Sequence, residues 1–146
     1  MDIGSAEYLA AAKDSLDAAG KLHREGLYTT AHYLCGLSVE CILRAYRWKL
    51  QTPWDGRHNI QLLFKESQFD QLIPSKRYKE FDEAFQYVVL SWSNSHRYMS
   101  APRLEKYLNT ASMIRNIRGH KIKAHSAQML SYTLTIVDLG VAKWKN

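Results

Sequence analysis

Residues 31–46, AHYLCGLSVECILRAY, constrain the fold more than any other stretch of the chain. Ala31, Leu34, Cys35, Ser38, Val39, Ile42 and Tyr46 recur at steps of three and four, the period of a helix face pressed into a core. The helix they describe is buried and carries one acid, Glu40, in its apolar middle. A carboxylate there must either turn to solvent or find a cation, because burying it alone is costly. Ala31, Gly36, Ser38 and Ala45 are small enough for another helix to approach closely.

The flanking patterns are helical as well. Leu9, Ala12, Leu16, Ala19 and Leu22 form the stripe of a helix from Ser5 to about Glu25, with Ser5 as cap and Gly26 as stop. The second helix starts near Thr29 or Thr30 and reaches about Leu50, so the short link predicts an antiparallel hairpin. Gln51 to Arg57 reads as a turn, and His58 to Glu66 as a short helix. Pro74 and Ser75 open a longer helix whose apolar positions are Tyr78, Phe81, Phe85, Val88 and Trp92. Ser100 and Pro102 start another, with Leu104, Leu108, Ala111 and Ile114 inward and Gly119 as terminator. Beyond Ser126 the alternation of Tyr132, Leu134 and Ile136 suits a strand, but nothing offers a second strand to pair with it. A C-terminal helix over 126–146 is therefore expected. The sum is an all-α, up-and-down bundle of five to six helices forming a single domain over residues 1–146.

Charge narrows the partners. Residues 1–94 hold 11 Lys/Arg against 12 Asp/Glu, whereas residues 95–146 hold 9 against 2, so the net charge of +6 resides in the last third. That asymmetry favours a polyanion, nucleic acid or nucleotide first, over a merely solubilising surface. Cys35 and Cys41, six residues apart on one helix, point to different faces and suit neither a disulfide nor a metal pair. No metal-ligand spacing, Gly-rich phosphate loop, signal segment or membrane-length apolar run is evident. A cytoplasmic protein without cofactor is the expectation.

Four separated features then line up: the small-residue helix with Glu40, the Arg57-His58-Asn59-Ile60 opening of the short helix, the long helix ending in Trp92, and His96-Arg97-Tyr98 just beyond it. In this order, over roughly residues 5–118, they resemble the HEPN domain family, helical domains of higher eukaryotes and prokaryotes. The resemblance implies nucleotide or nucleic-acid binding and pairing into homodimers. It also implies service beside a separately encoded nucleotidyltransferase in a toxin–antitoxin or defence setting. Ile114-Arg-Asn-Ile-Arg-Gly-His120 is similar to the Arg-x4–6-His signature of the family's ribonucleases. This likeness implies metal-independent RNA cleavage, with His120 as general base or acid at the ribose 2′-hydroxyl and leaving oxygen and Arg115 at the phosphate. The tyrosine that the toxin-type subset carries two residues after the histidine is Ile122 here, and Arg118 with His125 makes a competing match.

Other residues admit two roles. Arg97 could bind a phosphate with Tyr98 stacking on a base, or Arg97 could turn inward to pair with Glu40 while Tyr98 plugs the bundle end. Arg118 and Lys121 could contact RNA, or complement the carbonyl end of a helix. His58 could meet a nucleotide, or cap the short helix and orient a neighbour. His23 and His32 read as surface or packing residues. Three functions follow: an accessory nucleotide- or nucleic-acid-binding module, an endoribonuclease using Arg115 and His120, or a structural interaction domain.

Overall fold

The computed structural model describes every residue except Met1, Asp2, Thr52, Pro53, Asp55 and Asn146, so part of the turn expected over 51–57 lies outside the described residues. Six α-helices form among the described residues: α1 (Ser5–Arg24), α2 (Tyr28–Lys49), α3 (Ile60–Glu66), α4 (Tyr78–Ser91), α5 (Ala101–Thr110) and α6 (Lys121–Ala142). Three 3-10 turns, Phe69–Leu72, Ser75–Arg77 and Asn94–Tyr98, punctuate them, and the described residues include no strand.

Gly26 ends α1 as the sequence implies. At φ +80° it takes the left-handed conformation that closes the helix, while Leu27 N–H returns to the Leu22 carbonyl at 2.9 Å. The chain reverses there and α2 packs back along α1. The small residues make that approach possible: Ala12 and Ala19 are fully buried, and Ser38 Oγ donates to the Ala12 carbonyl at 2.6 Å. On the other side of α2, α6 lies against α1, α2 and α4. There Gly140 lets α6 press onto Ile42, and its carbonyl accepts from Tyr46 Oη at 2.7 Å.

The strand-like alternation after Ser126 is helix. Ile122, His125, Ser126, Met129, Thr133, Ile136, Val137 and Gly140 are buried at helical spacing, whereas Leu134 is 48% exposed. α5 is shorter than expected. It stops at Thr110, after two weak helix formers, Asn109 and Thr110. Ser112 at φ +60° and the Met113 N–H bond to the Leu108 carbonyl at 2.9 Å then close it. Residues 111–120 therefore cross to α6 as an irregular segment. Ile114 is buried in a small second core with Leu104, Leu108 and Ile122, Ala111 is exposed, and Gly119 leads into α6 instead of ending α5.

Candidate nucleic-acid interface

Glu40 organises the site. It is 3% exposed, and both of its oxygens are engaged: Oε2 accepts from Arg44 Nε at 3.3 Å, and Oε1 faces His58 Nδ1 at 2.8 Å. Arg44 lies one turn further along α2, the spacing that places two side chains on one face. Its guanidinium also donates to the Arg57 carbonyl, tying the loop before α3 to α2. The expected Glu40–Arg97 pair does not form, because Arg44 and His58 reach the carboxylate from closer positions. Arg97 stays exposed with its guanidinium 4.6 Å from the centre of the Tyr98 ring. Nor is His58 a cap. Asn59 holds that place, accepting from Leu62 N–H at 3.0 Å, which leaves His58 half exposed beside the carboxylate.

The end of α4 supplies the opposite wall. Trp92 sits directly on Gly36 of α2, where an added Cβ would fall 2.2 Å from the indole, and Trp92 Nε1 donates to the Tyr33 carbonyl at 3.0 Å. The Tyr33 hydroxyl donates to Asn94 Oδ1 at 3.2 Å. Between the walls lies a cleft of about 310 Å³ lined by His58, Asn59, Ile60 and Gln61 on one side and by Val89, Trp92, Ser93 and Asn94 on the other. Burial raises the Tyr33 hydroxyl's pKa, the nearby Arg97 charge pulls it back, and Glu40 pushes it up. The charges of Arg97 and Glu40 thus act on the same hydroxyl in opposite senses.

The Asn94–Tyr98 turn that carries Arg97 is anchored by a chain of buried histidines. Tyr87 Oη meets His125 Nδ1 at 2.7 Å, His125 Nε2 meets His32 Nδ1 at 2.8 Å, and His32 Nε2 meets His96 Nδ1 at 2.9 Å. One backbone group sets the direction of the whole chain. Ser93 N–H donates to His96 Nδ1 at 3.2 Å, so that nitrogen accepts and His32 Nε2 must be the donor. His32 Nδ1 then accepts from His125 Nε2–H, and His125 Nδ1 from the Tyr87 hydroxyl. All three imidazoles are assigned as neutral, with hydrogen on Nε2. The last hydrogen, on His96, has no hydrogen-bond partner, and that ring packs edge-to-face with Tyr107 at 4.6 Å.

Neutrality has a physical cause. Burial lowers the pKa of His96 and takes that of His125 down to about 4, and burial together with its two histidine neighbours sets His32 well below the usual value. Burial pushes the Tyr87 hydroxyl up to about 12, so it remains a donor. No carboxylate lies within ion-pair distance of any of the three among the described residues.

Arg115 and His120 occupy the segment between α5 and α6. Arg115 donates to Ser112 Oγ at 3.0 Å. His120 is the N-cap of α6, its Nδ1 accepting from Lys123 N–H at 3.2 Å, and its ring lies edge-to-face on Tyr28 at 5.3 Å. No hydrogen bond joins the two residues. Tyr28 and Glu40 are twelve residues apart on α2, about 18 Å at 1.5 Å per residue, so this motif and the Glu40–His58 pair lie at separate levels of the bundle. Arg118 is exposed, and Lys121 opens α6 instead of lying near the last carbonyls of a helix, because α5 ended early. The competing Arg118–His125 match fails, since His125 is fully buried in the histidine chain.

The family model for the HEPN domain matches residues 5–121, from the start of α1 to the first residue of α6. The chain belongs to the HEPN domain family. No curated protein and no solved structure matches it. In this HEPN domain, His58 lines one side of the cleft and Trp92, Ser93 and Asn94 the other, with Arg97 and Tyr98 following Asn94 in the same 3-10 turn. Sequence reasoning missed Arg44 and Tyr33, although the Glu40–Arg44 spacing could have signalled the first. It also missed the histidine chain, whose members are scattered over α2, the 94–98 turn and α6. No described helix is long and apolar enough to cross a membrane.

Proposed function

We propose that this HEPN domain is a nucleotide- or nucleic-acid-binding accessory module, taking single-stranded RNA at the Arg97–Tyr98 rim of the cleft. The observation that carries the reading is Tyr98, a 76% exposed aromatic ring held beside an exposed guanidinium in the turn that follows the cleft residues Ser93 and Asn94. A base can stack on such a ring and Arg97 can reach its phosphate, the combination by which single strands are held without sequence selection. The excess of cations after residue 94, including Arg115, Arg118, Lys121 and Lys123 around the start of α6, supplies long-range attraction for the polyanion. We extend the proposal to a homodimer working beside a separate nucleotidyltransferase in a toxin–antitoxin or defence setting, on the family resemblance alone. A purely structural interaction domain would leave the exposed Arg97–Tyr98 pair without a purpose.

The alternative, an endoribonuclease using Arg115 and His120, meets an obstacle in hydrogen bonding. With Nδ1 accepting from Lys123 N–H, neutral His120 carries its hydrogen on Nε2 and has no lone pair free for a base to use. The binding reading is tested by anisotropy of labelled single-stranded RNA over a series of salt concentrations. Affinity should fall steeply with salt, and Arg97→Ala should reduce the slope by about 0.7. Tyr98→Ala should weaken binding about 5- to 150-fold, equivalent to about 1–3 kcal/mol per stacked base. RNA binding that ignores both substitutions, or no binding at low salt, would refute the reading.

A further inference from the structure

α6 is apolar on more sides than its own bundle covers. Between Lys123 and Lys143 its sole Lys, Arg, Asp or Glu is Asp138. One face packs on α1, α2 and α4, yet Leu134 projects from the opposite face, half exposed, with Leu130 and Val141 partly exposed beside it. A helix apolar nearly all round belongs to a place that is covered on every side. Two grooves flank the Leu134 ridge. The larger, about 560 Å³, runs between α1 and α6 and is lined by Leu16, Leu130, Leu134, Val137 and Val141. The other, about 480 Å³, separates α6 from Pro74 and Arg77, and Leu134 and Asp138 border both grooves. Lys13 on α1 and Asp138 on α6 also line the larger groove, and neither has an ion-pair partner among the described residues.

We propose that a second copy of this chain fills these grooves, each protomer laying its Leu134–Asp138 ridge between α1 and α6 of the other. The proposal rests on the homodimer reading and names its surface. A ridge beside a groove complements itself under a two-fold axis that runs along α6, which sets each ridge in the partner's groove and keeps equivalent residues level. The helix register then dictates the contacts. His32 meets His125 and Tyr46 meets Gly140, so α6 runs parallel to α2 and therefore antiparallel to α1. His23 Nδ1 lies 2.8 Å from Ser126 Oγ, which sets those two residues level. Stepping back along α1 and forward along α6, Leu16 comes level with Thr133, and Lys13 with Ile136, about 3 Å along the axis from Asp138 at 1.5 Å per residue. A partner helix in this register sets its Leu134 against Leu16 and Val137, and its Asp138 beside Lys13. By the same symmetry the partner's α1 comes over the second groove and brings the partner's Lys13 to Asp138. An apolar centre with opposite charges at its edge is the make-up of a specific protein interface.

The experiment measures self-association of the full chain by sedimentation velocity over a dilution series. Wild type is compared with Leu134→Glu, Lys13→Glu, Asp138→Lys and the double variant Lys13→Glu with Asp138→Lys, each checked by circular dichroism. All three positions are exposed, so every variant should keep its helix content. Wild type should be a dimer. Leu134→Glu should weaken pairing about 30-fold or more, the loss expected for a central apolar anchor. Each single charge reversal should weaken pairing about 10-fold, and the double reversal should restore it, which a local effect of either residue would not do.

A dimer that keeps its affinity in Leu134→Glu, or a double reversal no tighter than the single ones, overturns this surface and leaves the homodimer reading standing. Wild type that stays monomeric at every concentration overturns both, and leaves the grooves to a different protein.

Discussion

Acid should unfold this protein through its histidine chain. His32, His96 and His125 are all neutral in the folded state and can take up a proton once unfolded, so the unfolded chain binds more protons wherever pH falls below the ordinary histidine value of about 6.5. The sign follows by linkage: their contribution to stability is complete above about pH 6.5 and is lost as pH falls toward the depressed folded values. For His125, fully buried and held at about 4, a shift of roughly 2.5 units corresponds to about 3 kcal/mol. A histidine that is protonated unfolded and neutral folded contributes about 1.4 kcal/mol per pH unit, so the three together give at most about 4 kcal/mol per unit. Set against a typical total of about 5–15 kcal/mol, such a slope removes much of the stability within two units.

Urea unfolding followed by circular dichroism, in half-unit steps from about pH 7.5 to about pH 5, measures that slope before most carboxylates titrate. His96→Asn separates titration from packing. Its Oδ1 can still accept from Ser93 N–H and His32 Nε2–H, but it cannot be protonated, so the slope should drop, to at most about 3 kcal/mol per unit. A wild-type slope of about 1.4 kcal/mol per unit or less, or a His96→Asn variant with the wild-type slope, would refute the neutral three-histidine chain.

Two further outcomes test the walls of the site and the placement of its charges. Gly36→Ala should drive Trp92 from its seat on α2, since the added Cβ falls 2.2 Å from the indole. Displacing an indole should cost about 3–5 kcal/mol in urea unfolding and abolish RNA binding at the rim, whereas a near-neutral result would mean that α4 does not pack as described. Lys121→Glu should raise the melting stability by about 0.3–1 kcal/mol while weakening RNA binding, because a cation stands at the positive end of the α6 dipole. A loss of stability would show that Lys121 makes a compensating contact.

How much of this was legible in the sequence varies by distance along the chain. Glu40 and His58 each stood out alone, one as an acid in an apolar helix and the other as the opening of a short one. Their pairing did not, because composition between the two helices does not say how closely His58 returns to α2. Arg97 looked like the natural partner of Glu40 on charge alone. Geometry gave the carboxylate to Arg44, one helical turn away, and left Arg97 at the rim. The Arg115–His120 pattern reads as the end of a helix terminated at Gly119, and a left-handed Ser112 ends that helix early.

The sequence by itself determined what depends on near neighbours: the helical period, the hairpin reversal at Gly26, the small-residue faces that let α1 and α2 touch, and the concentration of cations after residue 94. Each follows from spacing or composition over a few turns. Only the tertiary structure decided which nitrogen of each histidine carries its hydrogen. His32, His96 and His125 lie far apart in sequence, and their protonation is set by one backbone N–H at Ser93 and by burial common to all three. His58 carries its hydrogen on Nδ1 because a carboxylate 18 residues earlier accepts it. Hydrogen-bond direction propagates through space from partner to partner, and that is why the chemistry of these imidazoles had to wait for the fold.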